Sequence, residues 1–282
     1  NMYSMVARAD LENTWRVPHI YRWRFLNVPE YATRAAMYET SQIQLSWFNA
    51  TDVEKYLKTG TSKYVPNGGR GGKTLTWMGN FWETVHAETG ETLERPYKEE
   101  YPWICGPGPD PLKPEDSPCN DVAKKFRKAM FMAVPRSQLK DSIFKGYADI
   151  LLSPVANLND GIIIKYGDKW GDPYNPDAAK ALFEEWKTDY AALGKDPDSV
   201  KIHAWVGTDE GRTVFTEALM SHWKSIFGID YELDNTPQST WQPDNWRGRK
   251  AYQFVVDAAP TYRGKSMTWE VESWYTSIGA PQ

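Results

Sequence analysis

The chain has 282 residues, enough for one large core or two ordinary ones, and its 41% hydrophobic and 25% charged content excludes the disordered and fibrous classes. A net charge of −4 and a pI near 5.7, with Lys and Arg interspersed among acids, argue against nucleic acid as a partner. No apolar run approaches the roughly 18–20 residues that a membrane span needs, and the first ten residues, NMYSMVARAD, lack the basic start and apolar core of a signal peptide.

In residues 21–28, YRWRFLNV, the aromatics Tyr21, Trp23 and Phe25 alternate with Arg22 and Arg24, the pattern of a half-buried strand. Pro29 opens a helix over PEYATRAAMYET, with Glu30 in its first turn. IQLSWF (43–48) reads as the next strand, and Thr51 with Glu54 in capping-box spacing starts a short helix running to Gly60. PNGGRGGK (66–73) is a hinge or loop, after which KTLTWMGNF (73–81) regains strand character. A long loop over 83–120 carries both cysteines in CGPGPDPLKPEDSPC; a Cys105–Cys119 disulfide would restrain it, and two unpaired thiols are the alternative.

NDVAKKFRKAMFMAV (120–134) places Val122, Phe126, Ala129, Met130 and Ala133 on one helical face, and Pro135 ends it. Ser137 can cap a second helix that stops at Gly146. In YNPDAAKALFEEWKTDYAALG the cap is Asn175, the first helical position Pro176, the stop Gly194, and the inward face Ala178, Ala181, Leu182 and Trp186. VKIHAWVG is a strand. TVFTEALMSHWKSIFG is a helix burying Val214, Phe215, Ala218, Leu219, Trp223 and Ile226, and IDYELD is a strand alternating Ile229, Tyr231 and Leu233. The run Tyr252–Val256 is a further strand that breaks at Asp257, so residues 200–257 describe an α/β unit.

The chemistry-bearing motifs are sparse. NGGRGGKT (67–74) ends like a phosphate-binding loop at Gly72-Lys73-Thr74, but Asn67 stands where that motif needs Gly, and the residues that follow have strand periodicity. His19, His86, His203 and His222 form no i, i+4 pair, no G-x-S-x-G elbow is present, and no motif requires a cofactor. Glu99-Glu100 and Glu184-Glu185 read as solvated acids, and the formal sequon NAT (49–51) reads as a helix cap. Fourteen Trp and sixteen Tyr exceed what a core of this size needs, which suggests stacking surfaces for sugars or peptides.

Four segments, in order and spacing, resemble family 5 of the extracellular solute-binding proteins, the oligopeptide, dipeptide and nickel type capture subunits of ABC importers. FLNVPEYATRAAMYETSQIQLSWFNATDVEKYL is similar to the family's strand, its P-x-x-x-x-R-x-A-A-L helix and its short dVekL helix. DVAKKFRKAMFMAVPRSQLKDSIFKGYA, DPYNPDAAKALFEEW and ALMSHWKSIFGIDYELDNTPQSTWQ resemble its vRqALsyAIDRe, DPxkAkxLL and lkxiGixvel stretches, with Pro135 where the family has the acid of AIDR. The resemblance implies a periplasmic-binding-protein-like α/β fold (type II, cluster C) of two lobes that close on a ligand, with no bond chemistry.

Because the family is roughly twice this length, the resemblance casts the chain as an internal fragment: residues 1–78 the remainder of lobe one and 79–282 lobe two. A signal peptide and lipid-anchor cysteine would lie upstream. It further implies a periplasmic or cell-surface location, permease subunits as partners, membrane association only through the anchor or the permease, and a peptide, oligosaccharide or other small polar ligand in the interlobe cleft. Where the family has a G-W-x-A-D-Y segment, this chain reads Asp257-Ala258-Ala259-Pro260-Thr261-Tyr262: the aromatic becomes Ala258 and the amine-anchoring acid becomes Thr261. The expected ligand contacts are Asp257, Tyr262 and Arg263 at the strand end, Trp241 and Trp246 on its approach, and Asn80, Phe81 and Trp82 after the crossing strand. A secreted carbohydrate-active hydrolase with a Trp-lined groove is the alternative, and it requires two facing carboxylates.

Overall fold

The computed structural model describes residues 2–6, 22–28, 30–65, 73–78, 85, 90–92, 101–104, 119–148, 150, 173–241 and 253–258. It divides into two compact units, Asn1–Val53 and Glu54–Gln282. In the first, β1 (Met2–Val6) pairs antiparallel with β2 (Arg22–Leu26), and α1 (Tyr31–Glu39) follows. Helix α2 (Ala50–Leu57) spans the division, its first amides bonded to the Asn49 carbonyl. The expected strand at 43–48 is absent. The amides of Gln42 and Ile43 turn back to the Met37 carbonyl at the end of α1, and Leu45 and Trp47 are exposed, so this short apolar run closes a helix instead of joining a ladder.

The second unit is built on a sheet in the order β3-β6-β4-β5, formed by β3 (Lys73–Trp77), β4 (Lys201–Trp205), β5 (Asp230–Asp234) and β6 (Phe254–Ala258). β4 is parallel to both β5 and β6, and β3 runs antiparallel to β6. The sequence-based boundary at residue 78 falls after β3, which the structure pairs along its length with β6. That pairing also carries β6 through Asp257 and Ala258, opposite Thr74 and Lys73, where the sequence pattern had ended the strand.

Helices α3 (Asn120–Met132), α4 (Arg136–Ser142), α5 (Pro176–Ala192) and α6 (Glu210–Phe227) accompany the sheet. Helix α5 starts where its sequence dictates: the Asn175 side chain accepts from the Ala178 amide at 3.0 Å, and Pro176 holds the first position. Its buried face is Ala179, Phe183, Trp186 and Tyr190, one step around from the expected face, because the large rings take the interior and Ala181 is left exposed. Helix α6 buries Phe215, Leu219 and Trp223 as expected, with Ala218 and Ile226 packed against the core. Met220 and Phe227 are buried, while Val214 is 48% exposed.

The core is aromatic. Phe126 of α3, fully buried, lies edge-on to Trp186 at 5.0 Å and to Trp77 at 5.5 Å, while Trp77 stacks on Trp223 at 5.7 Å and meets Phe254 at 4.6 Å. Much of the tryptophan excess thus serves packing, with Trp103, Trp186, Trp205, Trp223 and Trp241 all fully buried. Phe126 joins α3, α5 and the sheet through these rings. Phe126→Ala is expected to cost about 3–5 kcal/mol of stability by urea denaturation; a cost below about 1 kcal/mol would show that the rings pack without it.

Candidate functional site

The parallel strands set the location. The chain leaves β4 through α6 to β5 on one side and reaches β6 on the other, so the connection reverses direction at the carboxyl end of β4. In open α/β sheets this reversal opens a crevice where ligands bind. The last residue of β4, Trp205, occupies that point. Its ring stacks on Trp241 with centroids 4.2 Å apart and planes 13° from parallel, and both pack with Val255 of β6. Trp241 ends a short helix, α7 (Gln238–Trp241).

The turn after β4 brings further groups to the ring. Gly207 takes φ +61°, and a Cβ there would lie 2.9 Å from Trp205 Cζ2, so glycine is required both for conformation and for the close approach. Asp209 caps α6 by accepting from the Arg212 amide at 2.6 Å, and the Arg212 guanidinium lies 4.5 Å from the Trp205 ring centroid, in cation–π contact.

Asp234, the last residue of β5, ties the edge together. Its Oδ1 accepts from the Thr236 amide at 2.8 Å and hydroxyl at 2.6 Å, and its Oδ2 accepts from Gln253 Nε2 at 2.7 Å. Gln253 in turn accepts from the Trp241 indole N–H, while the Trp205 indole N–H donates to the Thr236 carbonyl at 2.8 Å. One network thereby connects the ends of β4 and β5, α7 and the entry to β6. Burial pushes the Asp234 carboxyl upward in pKa, but the Thr236 hydroxyl and amide, the Gln253 amide and nearby His203 outweigh it and hold the group below the ordinary carboxylate value. The opposite ends of the same strands are solvated and ionic: Lys201 pairs with Glu232 at 2.8 Å and Lys224 with Asp230 at 2.5 Å, which lowers both carboxyls.

Among the expected ligand contacts, Asp257 falls in β6, its backbone in register with Thr74 and two residues on from Val255. Trp241 is 2% exposed, and its ring and indole N–H are engaged with Trp205 and Gln253, so it braces the strand ends from within. Tyr262, Arg263, Trp246, Asn80, Phe81 and Trp82 lie outside the described residues. Cys119 is disulfide-bonded, and Cys105 lies outside the described residues. Sequence reasoning passed over Trp205, Arg212, Asp234, Thr236 and Gln253. The available signal was positional: Trp205 and Asp234 each close a strand whose alternation is readable, immediately before a turn.

The model of the family described as "Bacterial extracellular solute-binding proteins, family 5 Middle" matches residues 6–272. Among solved structures, the fold is similar to the ABC transporter substrate-binding protein CtaP from Listeria monocytogenes, at TM-score 0.63 and 15% identity over 98% of this chain and 46% of that one. It is also similar to Listeria monocytogenes OppA bound to peptide (TM-score 0.58, 12% identity, 91% and 43% of the two chains) and to a Bacillus anthracis oligopeptide ABC transporter substrate-binding domain (0.54, 18%, 92% and 43%). The chain spans less than half the length of these structures. No curated protein matches it.

A lowered folded-state pKa at Asp234 contributes stability that is present above the ordinary carboxylate value and is lost as pH falls through the lowered one. Asp234→Asn is expected to destabilise by about 1–3 kcal/mol at neutral pH and to flatten the acid limb of stability, read by denaturant midpoints from neutral pH downward. An acid limb as steep as that of the unsubstituted protein would place the titrating contribution elsewhere.

Proposed function

The chain belongs to the bacterial extracellular solute-binding proteins of family 5, and we propose that it forms part of the solute-capture subunit of an ABC importer. Its ligand is a peptide, an oligosaccharide or another small polar solute, bound without covalent chemistry. The family match over residues 6–272 carries this reading. The clamped carboxyl edge of the sheet supports it in physical terms: a binding wall must hold its contacts in place before the ligand arrives, so that little ordering remains to oppose association. The Asp234 network supplies that rigidity beneath β6.

In this reading Asp257, Tyr262 and Arg263 contact the solute by hydrogen bonding, charge and ring stacking, and Asn80, Phe81, Trp82 and Trp246 add further contacts. Trp241 contributes indirectly by fixing the approach to β6. Thr261 stands where the peptide-binding pattern of the family carries an amine-anchoring acid, which favours solutes held by hydroxyl, carboxylate or backbone groups over those held by a terminal amine. The subunit acts outside the cytoplasm, tethered by a lipid anchor or free in the periplasm. Its partners are the permease subunits, which recognise the population shift that ligand produces.

The test is a melting-temperature screen of the full-length protein against peptides, oligosaccharides and small polar solutes. A solute at about 100 times its Kd adds about 2.7 kcal/mol, a shift of several degrees for a protein of this size. Asp257→Asn and Tyr262→Ala are expected to weaken binding of the responding solute at least about tenfold, or about 1.4 kcal/mol, with the ligand-free melting temperature unchanged. Absence of a shift with every solute class would contradict the capture role.

A further inference from the structure

The fully buried tryptophans divide by what their indole N–H groups do. Those of Trp186 and Trp223, in the main core, have no acceptor among the described residues. Those of Trp205 and Trp241 donate into the strand-end group, to the Thr236 carbonyl and the Gln253 side chain. Trp103 belongs to the main core by its ring, which meets Trp77 at 5.0 Å and Phe126 at 6.1 Å, yet its N–H donates at 3.0 Å to the Met78 carbonyl, 25 residues away in sequence. Core position alone therefore does not satisfy an indole here, and the one core indole that is satisfied reaches the residue where the chain leaves β3.

Met78 is a joint. Its amide donates to the Gln253 carbonyl at 3.0 Å, its carbonyl accepts from Trp103, and its side chain packs against the cluster of Trp205, Trp241 and Val255. Gln253 is the residue whose side chain donates to Asp234 and accepts from Trp241. Holding Met78 on both sides thus fixes a neighbour of every group in the strand-end network, and the expected contacts Asn80, Phe81 and Trp82 begin two residues further on in sequence.

Trp103 is itself held from α3. The Arg127 guanidinium donates to the Trp103 carbonyl, and Cys119, the N-cap of α3, is disulfide-bonded. The sequence contains one other cysteine, Cys105, two residues beyond Trp103. The segment that carries Trp103 is tied to α3 twice, by the Arg127 side chain and by the disulfide, and a closed loop of this kind loses much of the freedom that would let Trp103 drift from Met78. Building on the solute-capture reading, we propose that Trp103 is a positioning residue for the solute site: with Arg127 and the Cys105–Cys119 disulfide it braces Met78, and through Met78 it holds the strand-end group in the arrangement that receives solute.

The test uses the full-length protein and the variant Trp103→Phe, which keeps an aromatic ring and removes the N–H donor. Without solute, the Met78 amide and the Trp241 indole N–H are expected to exchange on the order of 10-fold faster while the α5 amides are unchanged, because the loss is local. Trialanine and maltotriose serve as peptide and oligosaccharide probes, and the Kd of whichever binds the unsubstituted protein is expected to rise roughly 3- to 10-fold, the effect of one hydrogen bond. Cys105→Ser combined with Cys119→Ser leaves the buried rings in place and is expected to speed exchange at Met78 in the same direction, which carries the test if Trp103→Phe does not fold. Unchanged exchange at Met78, or an equal rise throughout α5, would overturn the proposal, and so would faster exchange at Met78 with probe affinity unaltered. If neither probe binds the unsubstituted protein, the capture reading is contradicted for those two solute classes, and the exchange rates alone decide the brace.

Discussion

The carboxylate of Asp234 is the group on which the carboxyl edge of the sheet depends. Three strand ends and a short helix meet there, and among the described residues β4 and β6 are paired at two positions, Ala204 with Phe254 and Trp205 with Val255. The remaining constraint comes from side chains. Asp234 holds the turn after its own strand through Thr236 and the entry to β6 through Gln253, and Gln253 and Thr236 hold the indoles of Trp241 and Trp205. A partly buried carboxylate with three donors is satisfied and stays ionised; with any donor missing it would be costly to bury. The edge therefore forms as a unit.

Beneath this edge the aromatic core gives the sheet something rigid to rest on. Trp77, Phe126, Trp186, Trp223 and Phe254 are in ring contact across three helices and two strands, with centroid separations of 4.6 to 5.7 Å. Interlocked rings of this size resist small adjustments, because moving one displaces its neighbours. The two faces of the strands divide the labour. Ile202, Ala204, Phe254 and Val256 face the main core, whereas Trp205 and Val255 build the smaller cluster under the candidate site.

What was legible in the sequence was local. Asn175-Pro176 announces the start of α5 through groups a few residues apart, and Gly228 with φ +75° ends α6 where the pattern stops. Strand alternation in IDYELD and KIHAWVG is likewise a nearest-neighbour signal. The failures share a cause. Ile43–Phe48 has strand composition, but the end of α1 captures its first amide, and the face of α5 turns because competing rings, unranked by periodicity, settle which residues are buried. The Asp234 network was illegible because Trp205, Asp234, Trp241 and Gln253 meet only through the sheet order. Trp241 stood out as an expected ligand contact on the approach to β6, and its ring stacks on another indole.

The central proposal is that solute is held at and beyond Asp257 of β6, next to the strand ends that the Asp234 network ties to the entry of that strand. A crystal structure of the full-length protein with the solute that stabilises it most tests this directly. The account predicts solute atoms within about 3.5 Å of residues at and just beyond Asp257, with the Trp205–Trp241 stack unchanged from the ligand-free arrangement. Solute bound away from this edge, or a stack rebuilt on binding, would contradict it.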